Sequence, residues 1–132
     1  MRSIADGKVD PPPIAKTLGI DLIEVGEGTA VATMKVDSRF YNPMGTVHGG
    51  TMTDLADLSV GVATASLLKD DESFTTLELK INFLRPVFET ELRAEAKVVH
   101  KGRTIALAET VLKNQEGKEV ARATATQMIL KA

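Results

Sequence analysis

The chain has 132 residues and no cysteine, a formal charge of −2, and 43% hydrophobic against 26% charged residues. That is one domain's worth of chain with enough apolar content for a core. It excludes a disulfide scaffold, a thiolate nucleophile, a cysteine zinc site and a basic field for nucleic acid. The residues after Met1-Arg2 lack the apolar stretch of a secretion signal, and the longest apolar run, 55–68, is too short to cross a bilayer and contains Asp57. A cytoplasmic location with no membrane partner is expected.

Residues 1–10 are polar and charged and read as a flexible N-terminal segment, leaving 11–132 as a single domain. Pro11-Pro12-Pro13 stiffens the chain, and Pro13 suits the start of a short helix over 14–18 that Gly19 stops. Residues 20–25 and 29–36 read as strands around the turn Gly26-Glu27-Gly28. Residues 39–48 hold Asn42, Pro43 and Gly45 and read as a loop. Residues 49–68 form the one long helical candidate, so apolar all round that it is expected to be buried on most sides.

Four strands follow, over 74–83, 91–98, 104–112 and 118–130, the last two joined by the turn Asn114-Gln115-Glu116-Gly117. In the first of them, alternation places Leu77, Leu79, Ile81 and Phe83 on one face and Thr76, Glu78, Lys80 and Asn82 on the other. The connections are short enough for antiparallel pairing. The expected fold is α+β, an antiparallel sheet curled around one apolar helix.

Chemistry concentrates between Tyr41 and Asp57. Gly49 and Gly50 stand where the long helix begins, and a helix N-terminus offers unpaired N–H groups and partial positive charge. Glycines there either admit a ligand oxygen to that backbone or simply turn the chain. Asp57 lies two turns further on among apolar residues, where an unpaired buried carboxylate costs several kcal/mol, on the order quoted for buried ions. A general base would justify that cost; the alternative is a partly exposed aspartate at the helix flank. Asp54 shares its helix face and suits the positive end of the helix dipole. His48 either orients a ligand or fixes the loop, and neither it nor His100 has metal-ligand spacing around it. The chain holds no Gly-x-Ser-x-Gly elbow, P-loop or dinucleotide fingerprint.

The block Asn42-Pro43-Met44-Gly45-Thr46-Val47-His48-Gly49-Gly50, with Asp57 nine residues after the histidine, resembles the hotdog-fold thioesterases of the PaaI-like, phenylacetate-degradation type. Thr76-Leu77-Glu78-Leu79-Lys80-Ile81-Asn82-Phe83-Leu84-Arg85-Pro86 resembles the strand after that family's central helix, and Lys101-Gly102-Arg103-Thr104-Ile105-Ala106 its later basic turn. The likeness runs from about Ile14 onward. It implies hydrolysis of acyl-CoA by a hotdog dimer, commonly paired into a tetramer, without metal or cofactor. It also implies roles: Asp57 as nucleophile or general base, the Gly49 N–H polarising the thioester carbonyl, and Asn42 orienting thioester or water. His48 would support the loop and the leaving thiolate, Thr76 would position water, and Lys101 and Arg103 would meet the CoA phosphates.

Eight positions separate Gly49 from Asp57, about 12 Å along a helix axis, too far for one thioester to touch both within one chain. A neighbouring subunit's helix would close the gap, which puts the expected site at a subunit interface. The competing readings are a non-catalytic acyl-CoA binding module, a hotdog dehydratase or hydratase, and a purely structural oligomer. Aromatic, hydroxylated aromatic and medium-chain acyl groups all remain open.

Overall fold

In a computed structural model that describes residues 12–132, the short helix α1 (Pro13–Leu18) opens on Pro13 and gives way at Gly19 to strand β1 (Ile20–Gly26). The expected flexible segment, 1–10, lies outside the described residues. Then come β2 (Thr29–Val36), a short 3-10 turn (Ser38–Phe40), the long helix α2 (Gly49–Ala65), β3 (Glu72–Phe83), β4 (Thr90–Lys101), β5 (Ile105–Lys113) and β6 (Glu119–Lys131). Every strand pairing is antiparallel, in the order β1-β2-β4-β5-β6-β3. The expected α+β architecture is the observed one.

The sheet curls around α2, which packs chiefly on β2, β4 and β5. Leu55 and Ala56 of the helix are fully buried in one cluster with Ala32, Leu92, Ala94 and Leu112 of the sheet, and Val60 and Ala63 in a second with Ala30, Ala96, Ala108 and Ala125. The alanines on both surfaces let backbone approach backbone, while leucines fill the gaps; truncating one such leucine costs about 2–5 kcal/mol. Most polar groups trapped in this interior find partners, as buried polar groups usually do, the Gln127 amide nitrogen being an exception among the described residues. Ser59 donates to the Thr110 hydroxyl at 2.9 Å, and the Thr64 hydroxyl donates to the Gln127 carboxamide.

Two sequence expectations change. Helix α2 stops at Ala65 instead of reaching 68. Its last turn tightens, with Leu67 and Leu68 donating three residues back, and the Ser66 hydroxyl accepts the Gly28 N–H at 2.8 Å, tying the helix end to the β1–β2 turn. In β3, the pairing with β6 slips between Thr76 and Glu78, so Leu77 is an extra residue, 54% exposed. Such a bulge reverses the facing of everything before it. Thr76 therefore faces α2 along with Phe74, not outward with Glu78 and Lys80. A second slip, between Val98 and His100, turns Lys101 inward in the same way.

Candidate active site

The loop before α2 is built on Asn42. Its side-chain oxygen accepts the N–H groups of Met44 (2.9 Å) and Thr46 (3.2 Å), and its amide nitrogen donates to the Thr46 hydroxyl (3.0 Å). The Val47 N–H donates to the Val87 carbonyl at 2.8 Å, anchoring the loop on the segment before β4. This delivers His48 to the N-cap of α2, where its Nδ1 accepts the Gly50 N–H at 2.9 Å. Nδ1 is therefore an acceptor, and in the neutral ring the proton sits on Nε2.

This cap leaves one donor over. The His48 N–H donates to Phe40 at 2.8 Å, Gly50's to the His48 ring, and Thr51's to the His48 carbonyl at 3.0 Å. The Gly49 N–H has no acceptor among the described residues. It opens on a cleft of about 420 Å³ whose lining includes Asn42, Thr46, Met52, Phe83 and Arg85. The rim of the Phe83 ring lies so close that a Cβ on residue 49 would stand 2.8 Å from it. Glycine is thus required by space as well as by access. The Phe83 contact is one that sequence patterning did not reveal.

Asp57 lies elsewhere. Its carboxylate accepts a hydrogen bond from the Thr76 hydroxyl at 3.2 Å. Both line a second cleft, of about 240 Å³, with Asp54, Leu58, Gly61 and Phe74. The expectation that Asp57 is buried is corrected: on a single chain it is exposed, on the one flank of α2 that the sheet does not cover. The helix core faces β2, β4 and β5, whereas this flank looks into a cleft walled by Ile14 of α1, Ile20 of β1 and the edge strand β3. Asp54 stands one turn earlier on the same wall. Partial burial there, and then the charge of Asp57, push its carboxyl above the usual range.

Of the basic pair assigned to CoA, Arg103 is exposed at the β4–β5 turn. Lys101 is turned inward, its ammonium 3.5 Å from Glu72, which Lys131 also approaches at 3.3 Å. The Glu72 carboxylate is only 2% exposed and also accepts the Lys69 N–H at 2.9 Å. That N–H first, with help from the two lysines and against the effect of burial, holds Glu72 below the usual glutamate range. Among the described residues, no group of three or more His, Asp or Glu is arranged to hold a metal, and no helix is long and apolar enough to cross a membrane.

The chain thus carries a free N–H at a helix start in one cleft and a hydroxyl-supported carboxylate in another. Comparison with known proteins gives this pairing a family. The profile described as Thioesterase superfamily matches residues 44–121. The chain is 37% identical over 108 residues to the acyl-coenzyme A thioesterase PaaI of Escherichia coli, covering 81% of this chain and 75% of that protein. It is 27% identical over 105 residues to the 1,4-dihydroxy-2-naphthoyl-CoA hydrolase of Listeria monocytogenes, covering 80% and 85%. The solved structure of E. coli PaaI superposes with a TM-score of 0.88 at 32% identity, covering 97% of this chain and 91% of that one. A Streptococcus pneumoniae thioesterase solved with coenzyme A superposes at 0.78 and 30% identity, covering 85% and 86%. The chain belongs to the thioesterase superfamily, as a hotdog-fold enzyme that hydrolyses acyl-CoA thioesters.

Proposed function

We propose that this protein hydrolyses aromatic or medium-chain acyl-CoA at sites shared between two copies of the chain, with the Gly49 N–H of one copy facing Asp57 of the other. The observation that carries this reading is the separation of the two clefts: the free N–H lines one, the carboxylate the other. They lie about 12 Å apart along the same helix. Strand β3 is an edge of the sheet, with unpaired backbone on its outer side. Pairing β3 with its copy across a two-fold axis would bring two α2 helices side by side. A homodimer is then the smallest active unit, and dimers pair into a tetramer.

At such a site Asp57, steadied by Thr76, takes a proton from water as the hydroxyl adds to the thioester carbon. The carbonyl oxygen gains negative charge against the Gly49 N–H and the α2 dipole, an arrangement worth several kcal/mol in related oxyanion sites. Collapse breaks the C–S bond, and the thiolate leaves to be protonated. His48 holds the Gly50 N–H and so the shape of the helix start. Asn42 holds the loop and lines the cleft. Arg103 meets the CoA phosphates; Lys101, committed to Glu72, does not. The related PaaI is named an acyl-coenzyme A thioesterase, which supports the substrate class.

The test is thiol release from an acyl-CoA panel in the presence of a chelator. Release from at least one aromatic or medium-chain member is expected. Saturable binding without release across the panel would favour an acyl-CoA binding module instead.

A further inference from the structure

Four residues of the carboxylate cleft are stacked in two matched rows. On α2, Gly61 follows Asp57 by four residues, one turn on, about 6 Å along the axis. On β3, Phe74 precedes Thr76 by two, a step of about 6.8 Å that returns to the same face. Because the strand runs against the helix at matching pitch, two contacts form one above the other. Asp57 meets Thr76 through a hydrogen bond of 3.2 Å, and Gly61 meets Phe74 through the end of its ring. A Cβ on residue 61 would stand 3.2 Å from the Phe74 Cζ, so the ring lies on bare helix backbone.

Beyond Phe74 is another cleft, of about 350 Å³, lined by Ala65, Leu68, Lys69, Asp70, Glu72 and Ser73 as well as by Phe74 itself. Phe74 is the one residue that lines both clefts. Its ring stands one helical turn past the carboxylate, between a small space beside Asp57 and a larger one on its far side.

We infer that Phe74, seated on Gly61, is the end wall of the acyl site and sets the length of acyl group accepted. This rests on the reading that Asp57 acts on a thioester. With the thioester carbon held at the carboxylate, the acyl group extends along the cleft and meets the Phe74 ring about one helical turn later. That depth suits a single ring or a short chain, and the ring face offers stacking to an aryl group. A longer chain has to displace the ring. Phe74 touches the acyl group and decides specificity, with no part in proton transfer.

The experiment compares the wild-type protein with Phe74→Ala, Phe74→Leu and Gly61→Ala on acyl-CoAs from acetyl to dodecanoyl, together with benzoyl- and phenylacetyl-CoA. A single methylene in an apolar pocket is worth about 10- to 200-fold in kcat/KM. Removing the ring in Phe74→Ala opens an apolar path past Gly61 toward Ala65 and Leu68 and should therefore raise the dodecanoyl-to-phenylacetyl ratio of kcat/KM at least about tenfold, with Phe74→Leu between. Gly61→Ala pushes the ring toward the cleft and should lower activity on aryl substrates more than on acetyl-CoA. Should Phe74→Ala fail to fold, judged by circular dichroism, the leucine and Gly61 variants carry the comparison. Unchanged chain-length profiles in folded, active variants overturn the wall while leaving the thioesterase reading in place. No turnover of any acyl-CoA by the wild type overturns that reading, and the wall with it.

Discussion

The Thr76 hydroxyl donates to the Asp57 carboxylate across 3.2 Å, and the bulge at Leu77 is what makes that contact possible. Regular alternation would send Thr76 outward with Glu78. The extra residue turns it toward α2, where it holds one carboxylate oxygen. Asp57→Asn should lower kcat by about 10²-fold or more with little change in KM, the usual scale for losing a general base. Thr76→Val should cost about tenfold in kcat, since it frees the carboxylate without removing it. Steady-state kinetics on one good substrate decide this, with thermal melts to show both variants folded. A Thr76→Val loss confined to KM would remove it from the positioning role.

Asp54 offers a contrast with its neighbour. Its carboxyl sits above the usual range because of partial burial and the Asp57 charge. The folded state therefore binds that proton more tightly than the unfolded chain, so ionised Asp54 weakens the fold at neutral pH. Asp54→Asn should raise stability at pH 7 slightly, by about 0.5 kcal/mol or less, as for a surface substitution. The gain should fade as pH falls through the carboxylate range, where the wild-type group is protonated in both states. Melting curves from pH 7 down to about 3 test the sign, and a gain that grows on acidification would contradict it. Activity should suffer far less than in Asp57→Asn.

Glu72 works in the opposite direction. Held low by the Lys69 N–H and two lysines, its charge stabilises the fold above the ordinary glutamate range and loses that effect as pH falls through it. Glu72→Gln should melt lower than wild type at pH 7, with the two converging below about pH 4, the ordinary glutamate value. Lys101→Ala should resemble it, lowering Tm with KM for acyl-CoA nearly constant. Arg103→Ala should do the reverse, raising KM about tenfold, in the range of a lost charge-assisted hydrogen bond, with Tm unchanged. If Lys101→Ala raised KM as much as Arg103→Ala, the inward placement of Lys101 would not describe the working enzyme.

Much of this was legible in the residues. Strand 29–36 falls on the expected positions, and the long helix starts at Gly49 as the glycines suggested, while the His48 cap there required the structure. The block from Asn42 to Asp57 marked the loop, the helix start and the carboxylate that the structure sets in two clefts. What alternation could not reveal were the bulges at Leu77 and Val99, because a slipped residue is set by the partner strand's register and leaves no mark in the strand's own pattern. Those two slips decide where Thr76 and Lys101 point. Exposure of Asp57 was misjudged for a related reason. Composition shows that α2 is apolar all round, but only strand order shows which flank the sheet leaves open. Gly61, mid-helix and four residues after Asp57, was a signal of close approach, though Phe74 as its partner required the fold.

The central claim is that each site takes Asp57 from one chain and the Gly49 cleft from another. Asn42→Ala and Asp57→Asn proteins should each be nearly inactive. Unfolded together in equal amounts and refolded, random pairing makes about half of the dimers mixed. Each mixed dimer then has one site with both lesions and one with neither, so activity should return to about a quarter of refolded wild type. If both residues served one site from a single chain, every site in any mixture would carry a lesion. A flat result, with mixed dimers confirmed by native mass spectrometry, would contradict the shared site.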